Sequence, residues 1–144
     1  MKQFIFSLFA FLLPFLFACN AQTPSPAEQH NTAKIKSLTC EQLDGKQYTI
    51  TLTAGGKAEP SEILSFKNKM VESSECLQYG FAASTYTCTA APDGSLAIET
   101  VMASEKEGRM DWKFSANENQ LRGTILWVKA GQADIAYTFE GAVK

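Results

Sequence analysis

The chain has 144 residues, enough for one domain behind a targeting segment. It carries 13 basic and 15 acidic residues, so its formal net charge at neutral pH is −2. Nucleic-acid binding needs a clustered basic face for the phosphates, and the sequence has no such cluster. Composition and charge therefore exclude nucleic acid as an expected partner.

The N-terminus has the form of a secretory signal that ends in a lipobox. Lys2 is followed by an apolar run over residues 4–17, shorter than the roughly 20 apolar residues of a transmembrane helix. Ala18 supplies the small residue that a signal peptidase needs before its cut, and Cys19 supplies the thiol that accepts lipid. We therefore expect a lipoprotein signal peptide over residues 1–18 and lipidation of Cys19. The alternative is an ordinary signal with an incidental cysteine.

A polar, proline-bearing segment follows the lipobox. Residues 19–36 lack apolar periodicity, which is typical of a flexible tether between a lipid anchor and a folded domain. His30, the one histidine of the chain, lies in this tether and is expected to be solvated. No Asp follows Cys19, which favours the outer membrane, facing the periplasm, within the bacterial cell envelope.

Residues 37–144 are predicted to form the folded domain. A capping-box spacing between Thr39 and Gln42, with Gly45 beyond it, predicts one short helical turn. From Tyr48 onward apolar residues recur at every second position between regularly spaced turns. We predict an all-β fold of about eight antiparallel strands in an up-and-down barrel, with the helical turn closing one end.

The clearest predicted hairpin spans residues 109–128. Trp112 and Phe114 alternate with polar residues before a turn centred near Asn117, and the returning strand carries Gly123 on the same parity. This register predicts Trp112 directly opposite Gly123, where the glycine leaves space for the indole ring.

Short motifs from residue 43 onwards resemble those of a known group of proteins. They are Leu43-Asp44-Gly45-Lys46, Cys76 with Tyr79-Gly80-Phe81, residues 104–108 leading to Trp112, Gly123 leading to Trp127, residues 131–134, and residues 137–141. The pattern resembles the small lipocalin-like (calycin) lipoproteins of Bacteroidota and related bacteria. The resemblance implies a lipocalin-like barrel and a habit of binding small apolar molecules. The domain is shorter than a typical lipocalin, so a shallow cup is expected.

Three cysteines remain besides Cys19, which allows at most one disulfide among them. A hairpin turn near Gly80 would separate Cys76 and Cys88 by roughly 13 Å, beyond the limit of about 7 Å between bridged Cα atoms. A bond from Cys40 to either Cys76 or Cys88 is more plausible, and for Cys88 we prefer a buried free thiol.

No enzyme signature is present, so we predict a non-catalytic protein without a cofactor. Cys76 has acidic neighbours and no histidine in its domain to lower its pKa, which argues against a nucleophile. The domain also lacks histidines and Cys-x-x-Cys pairs, so no metal site is expected.

Aromatic residues supply the candidate binding site. Inward-facing side chains on the strands and an apolar loop at residues 77–81 would line it or form its mouth: Trp112, Trp127, Tyr86, Tyr137, Tyr79 and Phe81. The loop could instead plug one barrel end, and an eight-stranded barrel is narrow enough for its own side chains to fill.

The leading hypothesis is therefore a lipid-anchored barrel that binds a small apolar or amphipathic ligand. The alternative is a protein with a filled core that binds or inhibits another envelope protein through its outer face or its aromatic loop.

Overall fold

The computed structural model describes residues 37–144. The signal peptide expected over residues 1–18, the lipidation site at Cys19 and the tether expected over residues 19–36 lie outside the described residues. Within the described range, no helix has the length and apolar character needed to cross a membrane.

Most of the described chain is antiparallel β-strand. The strands are β1 (Gln47–Ala54), β2 (Lys57–Ala58), β3 (Glu62–Lys67), β4 (Met70–Ser73), β5 (Ser84–Ala90), β6 (Leu96–Ser104), β7 (Gly108–Ala116), β8 (Gln120–Val128) and β9 (Ile135–Val143). A 3₁₀ helix, Cys40–Leu43, precedes β1, and a four-residue helix α1, Ser74–Leu77, connects β4 to β5.

Eight of these strands close into an up-and-down barrel. The two-residue β2 pairs only with the last two residues of β1 in a short hairpin. The other strands pair in chain order from β1 and β3 through to β9. β9 then pairs with β1, from Val143 opposite Tyr48 to Thr138 opposite Thr53. Closure removes both free edges of the sheet. The predicted all-β barrel of about eight strands with a short N-terminal helical turn is confirmed.

Alternating side chains fill the middle of the barrel. Along β6 burial alternates at every residue from Leu96 to Ser104, because successive side chains of a strand point to opposite faces. Aromatic rings from β1, β3, β7 and β9 meet in the interior with centroid separations of 5.3 to 6.2 Å: Tyr48, Phe66, Trp112, Phe114 and Phe139. The middle of the barrel is thus packed with side chains, and a ligand has room only at an end.

The two ends of the barrel carry different connections. The 3₁₀ end holds the 3₁₀ helix and the turns at residues 68–69, 91–95 and 117–119. The α1 end holds α1 and the turns at residues 105–107 and 129–134.

The 3₁₀ helix closes its end of the barrel. The backbone N–H of Thr39 donates to Gln42 Oε1 at 2.9 Å, as the capping-box spacing predicts. Gly45 follows with a φ of 84°, a backbone conformation that suits glycine at a helix end. Its N–H donates to the Phe66 carbonyl at 2.8 Å, and Leu43 has no exposed surface. The helix therefore seals this end with an apolar side chain.

A disulfide joins the 3₁₀ helix to the barrel wall. It connects Cys40 with Cys88 on β5, 48 residues further along the chain, while Cys76 is a buried free thiol. This pairing is one of the two that the sequence leaves open, and the preference for an unpaired Cys88 is wrong. The physical reason is position, because the 3₁₀ helix lies beside β5 whereas Cys76 lies in α1 at the opposite end.

The predicted register of the hairpin between β7 and β8 is wrong by two residues. Phe114, not Trp112, lies opposite Gly123. The Asn117 side-chain oxygen accepts the backbone N–H of Gln120 at 2.8 Å, which moves the centre of the turn one residue further along the chain. An added Cβ at Gly123 would lie 2.3 Å from the Cβ of Phe114, so the space left by glycine serves the phenyl ring instead.

Replacing both Cys40 and Cys88 by serine should lower the free energy of unfolding by about 4 kcal/mol. Without the cross-link, the unfolded chain between these two residues, which are 48 positions apart, gains conformational entropy. Urea denaturation followed by tryptophan fluorescence measures this loss. Reduction of the wild-type protein should reproduce it, and reduction of the double variant should change nothing. Equal stability of the oxidised protein and the double variant would contradict this role of the disulfide.

Candidate functional site

A recess of about 470 Å³ opens at the α1 end of the barrel. Inward side chains of the strands form its floor together with Cys76 and Phe81 of the α1 segment, residues 73–81. The exposed part of this segment and the turns form its rim. The residues that line it are Leu52, Glu59, Pro60, Glu62, Glu75, Cys76, Tyr79, Phe81, Glu107, Met110, Trp127 and Tyr137. Larger hollows of about 750 and 770 Å³ lie over the outer wall and the 3₁₀ end, but polar residues such as Thr51 and Arg122 line both. The recess at the α1 end is therefore the candidate site.

The α1 segment covers this end only in part. The Ser73 hydroxyl oxygen accepts the backbone N–H of Cys76 at 3.1 Å and so starts the helix. The Ser104 hydroxyl donates to the Tyr79 carbonyl at 2.8 Å, which fixes the segment to β6. Phe81 is 2% exposed and fills the barrel end, whereas the Tyr79 side chain is 56% exposed on the rim. One residue of the predicted aromatic loop thus acts as a plug and the other stands at the mouth.

Four of the six predicted ligand-binding residues line the recess, and two do not. The four are Trp127, Tyr137, Tyr79 and Phe81. Trp112 is 1% exposed and packs edge-on against Phe139, with ring centroids 5.3 Å apart. It therefore lies in the core and not in the recess, where the prediction would place it. Tyr86 borders a hollow at the 3₁₀ end instead. Both face inwards as predicted, but strand alternation does not give their position along the barrel axis.

A buried carboxyl group forms part of the recess wall. Glu62 is 5% exposed, and its Oε2 accepts hydrogen bonds from the Ser73 hydroxyl and from the Glu75 backbone N–H. Burial raises the pKa of Glu62 above its usual 4.5 and outweighs these hydrogen bonds, which lower it. Sequence reasoning missed Glu62 by assigning acidic residues to the surface. The available signal was its parity, since it shares the inward phase of Leu64 and Phe66 on β3.

The Cys76 thiol is buried beside this carboxyl group. The pKa of Cys76 is raised to about 11, mainly by burial and also by the nearby Glu62 and Glu75 carboxylates, while a hydrogen bond with Ser73 acts in the opposite direction. Its Sγ lies 3.7 Å from Met110 Sδ, to which it donates a weak hydrogen bond. The group is therefore a protonated thiol at neutral pH, and a thiol is a poor nucleophile compared with a thiolate.

Trp127 is held at the rim by two neighbours. Its indole N–H donates to the Glu107 carbonyl at 2.6 Å. The Glu107 carboxylate forms an ion pair with Lys129, also at 2.6 Å, and Lys129 Nζ lies 6.0 Å from the centroid of the Trp127 ring. These contacts position the indole with one part against the recess and its polar atom at the turn.

The chemistry that the recess offers is apolar contact, aromatic faces and carboxylate oxygens. Among residues 37–144, no group of three or more His, Cys, Asp or Glu side chains could hold a metal ion. The lining side chains instead suit a small organic molecule.

No protein-family model matches the chain, and comparisons with curated proteins and with solved structures find no match either. The lipocalin-like lineage that the motifs resemble stays a prediction. The function must therefore be argued from the residues of the recess and from the sequence.

Trp112→Ala should lower the free energy of unfolding by about 3–5 kcal/mol, because it leaves a large cavity in the packed core. Trp112→Phe should cost much less, since a ring remains and the indole N–H, which has no hydrogen-bond partner within the described range, is removed. Urea denaturation measures both. A Trp112→Ala variant as stable as wild type would show that Trp112 is not part of the core.

Glu62→Gln should remove a pH-dependent loss of stability. The pKa of Glu62 is raised in the folded protein, so the neutral carboxyl group contributes to the stability of the fold. This contribution is fully present below pH 4.5 and is lost as pH rises through the folded-state pKa. Glutamine stays neutral and keeps an oxygen for the hydrogen bonds from Ser73 and Glu75. The variant should therefore gain stability relative to wild type as pH rises above 4.5 and through the raised pKa of Glu62.

Urea denaturation at a series of pH values tests this expectation. Glu105→Gln is the matched control, because Glu105 lies in the exposed turn between β6 and β7, outside the recess. It should follow the wild-type pH dependence. If Glu62→Gln followed that dependence as well, the burial of the carboxyl group would not explain it.

Proposed function

We propose that this chain is a non-catalytic, lipid-anchored protein of the bacterial cell envelope that binds one small apolar or amphipathic molecule in the recess at the α1 end. The lipobox and Cys19 support the anchor, and the residue after Cys19 supports an outer-membrane position facing the periplasm. Trp127, Tyr137 and Phe81 form the apolar part of the site, and Tyr79 stands at its mouth.

The observation that carries the proposal is the contrast between the two barrel ends. At the 3₁₀ end Leu38 and Leu43 are buried and Tyr86 is partly buried, whereas at the α1 end three large side chains, Trp127, Tyr137 and Met110, remain only partly buried around one recess. Large apolar side chains that stay open to solvent in a concave site favour ligand binding, because a ligand can complete their burial. The volume of about 470 Å³ lies within the range of roughly 300–1,000 Å³ typical of small-molecule sites.

The packed middle of the barrel sets the depth and the capacity of the site. Phe81, Cys76 and Leu52 form the recess floor, and below it the aromatic core occupies the interior. A long chain threaded along the barrel axis does not fit this arrangement. The proposed ligand is therefore a compact molecule, or the end of a longer one, that sits at the mouth.

Two exposed side chains beside the recess favour a second candidate function. Leu77 is 44% exposed and Tyr79 is 56% exposed on the rim of the α1 end, and such a pair suits contact with another envelope protein. Phe81 would not contribute to that contact directly, because it is 2% exposed. Leu77→Ser and Tyr79→Ser should then each abolish co-purification of a stoichiometric protein partner, and Leu77→Ser should leave small-molecule binding intact because Leu77 does not line the recess.

Native mass spectrometry of the purified protein tests the leading proposal. Extra mass that is released on denaturation is expected in wild type and absent from Tyr137→Ala, which removes one wall of the recess. Tyr86→Ala is the matched control, because it removes a partly buried tyrosine at the 3₁₀ end and should retain the adduct. Bare chain mass in every preparation, together with a protein partner lost in Tyr79→Ser, would favour the second candidate.

A further inference from the structure

We propose that the recess selects ligands that carry a positively charged amine on an apolar body. This inference rests on the proposed function and names the ligand class for the same site. It follows from three features of the lining: its charge balance, one carboxylate oxygen that accepts no hydrogen bond from the described residues, and the aromatic side chains beside the carboxylates.

The charge of the lining is negative and mostly uncompensated. Four of the lining residues are glutamates, and no lysine, arginine or histidine is among them. Glu107 is neutralised by its ion pair with Lys129. In the described part of the chain, Glu59, Glu62 and Glu75 form no ion pair with a basic side chain. An ammonium group entering the recess therefore gains attraction that a neutral group does not.

Glu62 provides a hydrogen-bond acceptor for the ligand in the wall of the recess. Its Oε2 takes both of the hydrogen bonds that the side chain accepts, from Ser73 and from Glu75. Within residues 37–144, its Oε1 accepts none, although the residue is only 5% exposed and lines the recess. This oxygen is therefore open to the recess and free to accept a hydrogen bond from a ligand N–H.

Aromatic faces lie beside the carboxylates. Trp127, Tyr137 and Tyr79 line the same recess, and an ammonium group is attracted to the face of such rings as well as to a carboxylate. The apolar body of the ligand would then pack on Met110 and Leu52. Ligands with a carboxylate or sulfate head group face three glutamates that form no ion pair with the described residues, and should be rejected.

Three matched probes separate charge from apolar contact. 4-Phenylbutylamine, 4-phenylbutanol and 5-phenylpentanoate share one apolar body and differ in the head group, which is cationic, neutral or anionic at pH 7. Isothermal titration uses residues 33–144, which contain the whole closed barrel and its core. The amine should bind about ten-fold more tightly than the alcohol, and the carboxylate most weakly. Added salt should weaken binding of the amine only.

A double variant tests whether the glutamates cause this preference. Glu59→Gln with Glu75→Gln should weaken binding of the amine several-fold and should leave the affinity for the alcohol unchanged, and the smaller preference for the amine that remains is due to Glu62. Both residues are exposed at the rim, so the core is untouched. Glu105→Gln at the same barrel end, outside the recess, should leave every affinity unchanged.

The outcomes distinguish this inference from the function on which it rests. Equal binding of the three probes, or tighter binding of the carboxylate, would overturn the amine preference while leaving ligand binding at the recess intact. An amine preference that the double variant leaves undiminished would overturn the role of the rim glutamates. If no probe bound up to its solubility limit, both the inference and the proposed function would be overturned.

Discussion

The pairing of β1 with β9 is the constraint on which the rest of this structure depends. It turns an open sheet into a barrel of eight strands, and a barrel of that size has an interior narrow enough for side chains to fill. Tyr48 on β1 and Phe139 on β9 lie in these two strands and belong to the same buried aromatic cluster as Phe66 and Trp112. Closure therefore brings these rings together in the middle of the barrel and leaves the open recess at the α1 end.

The sequence predicts the strands well because alternation reports directly on which side chains face inwards. It does not predict positions along the barrel axis, since a shift of two residues keeps the parity of every side chain. That is why Phe114 takes the place opposite Gly123 and why Trp112 lies in the core instead of at the site. Glu62 escaped prediction for a related reason, because its burial depends on Ser73 and α1, which come close only in the folded barrel.

The two barrel ends differ in how completely they are closed. The 3₁₀ end is sealed by Leu43 and held by the Cys40–Cys88 bond, so it contributes stability. The α1 end is covered by a helix of four residues that buries Phe81 and leaves Tyr79 on the rim. Partly covered aromatic residues and a buried carboxyl group cost stability, and proteins commonly accept such a cost where a ligand binds.

The bond between Cys40 and Cys88 also makes the strength of this fold depend on the compartment. In a reducing cytosol both side chains stay as thiols, and the barrel lacks a cross-link worth about 4 kcal/mol, a large share of the stability of a small domain. For a chain that leaves the cytosol unfolded, a weaker fold before transport keeps it competent to pass through a translocation channel. In the export that we propose, oxidation outside the cytosol joins the 3₁₀ helix to β5, and folding to full stability follows transport.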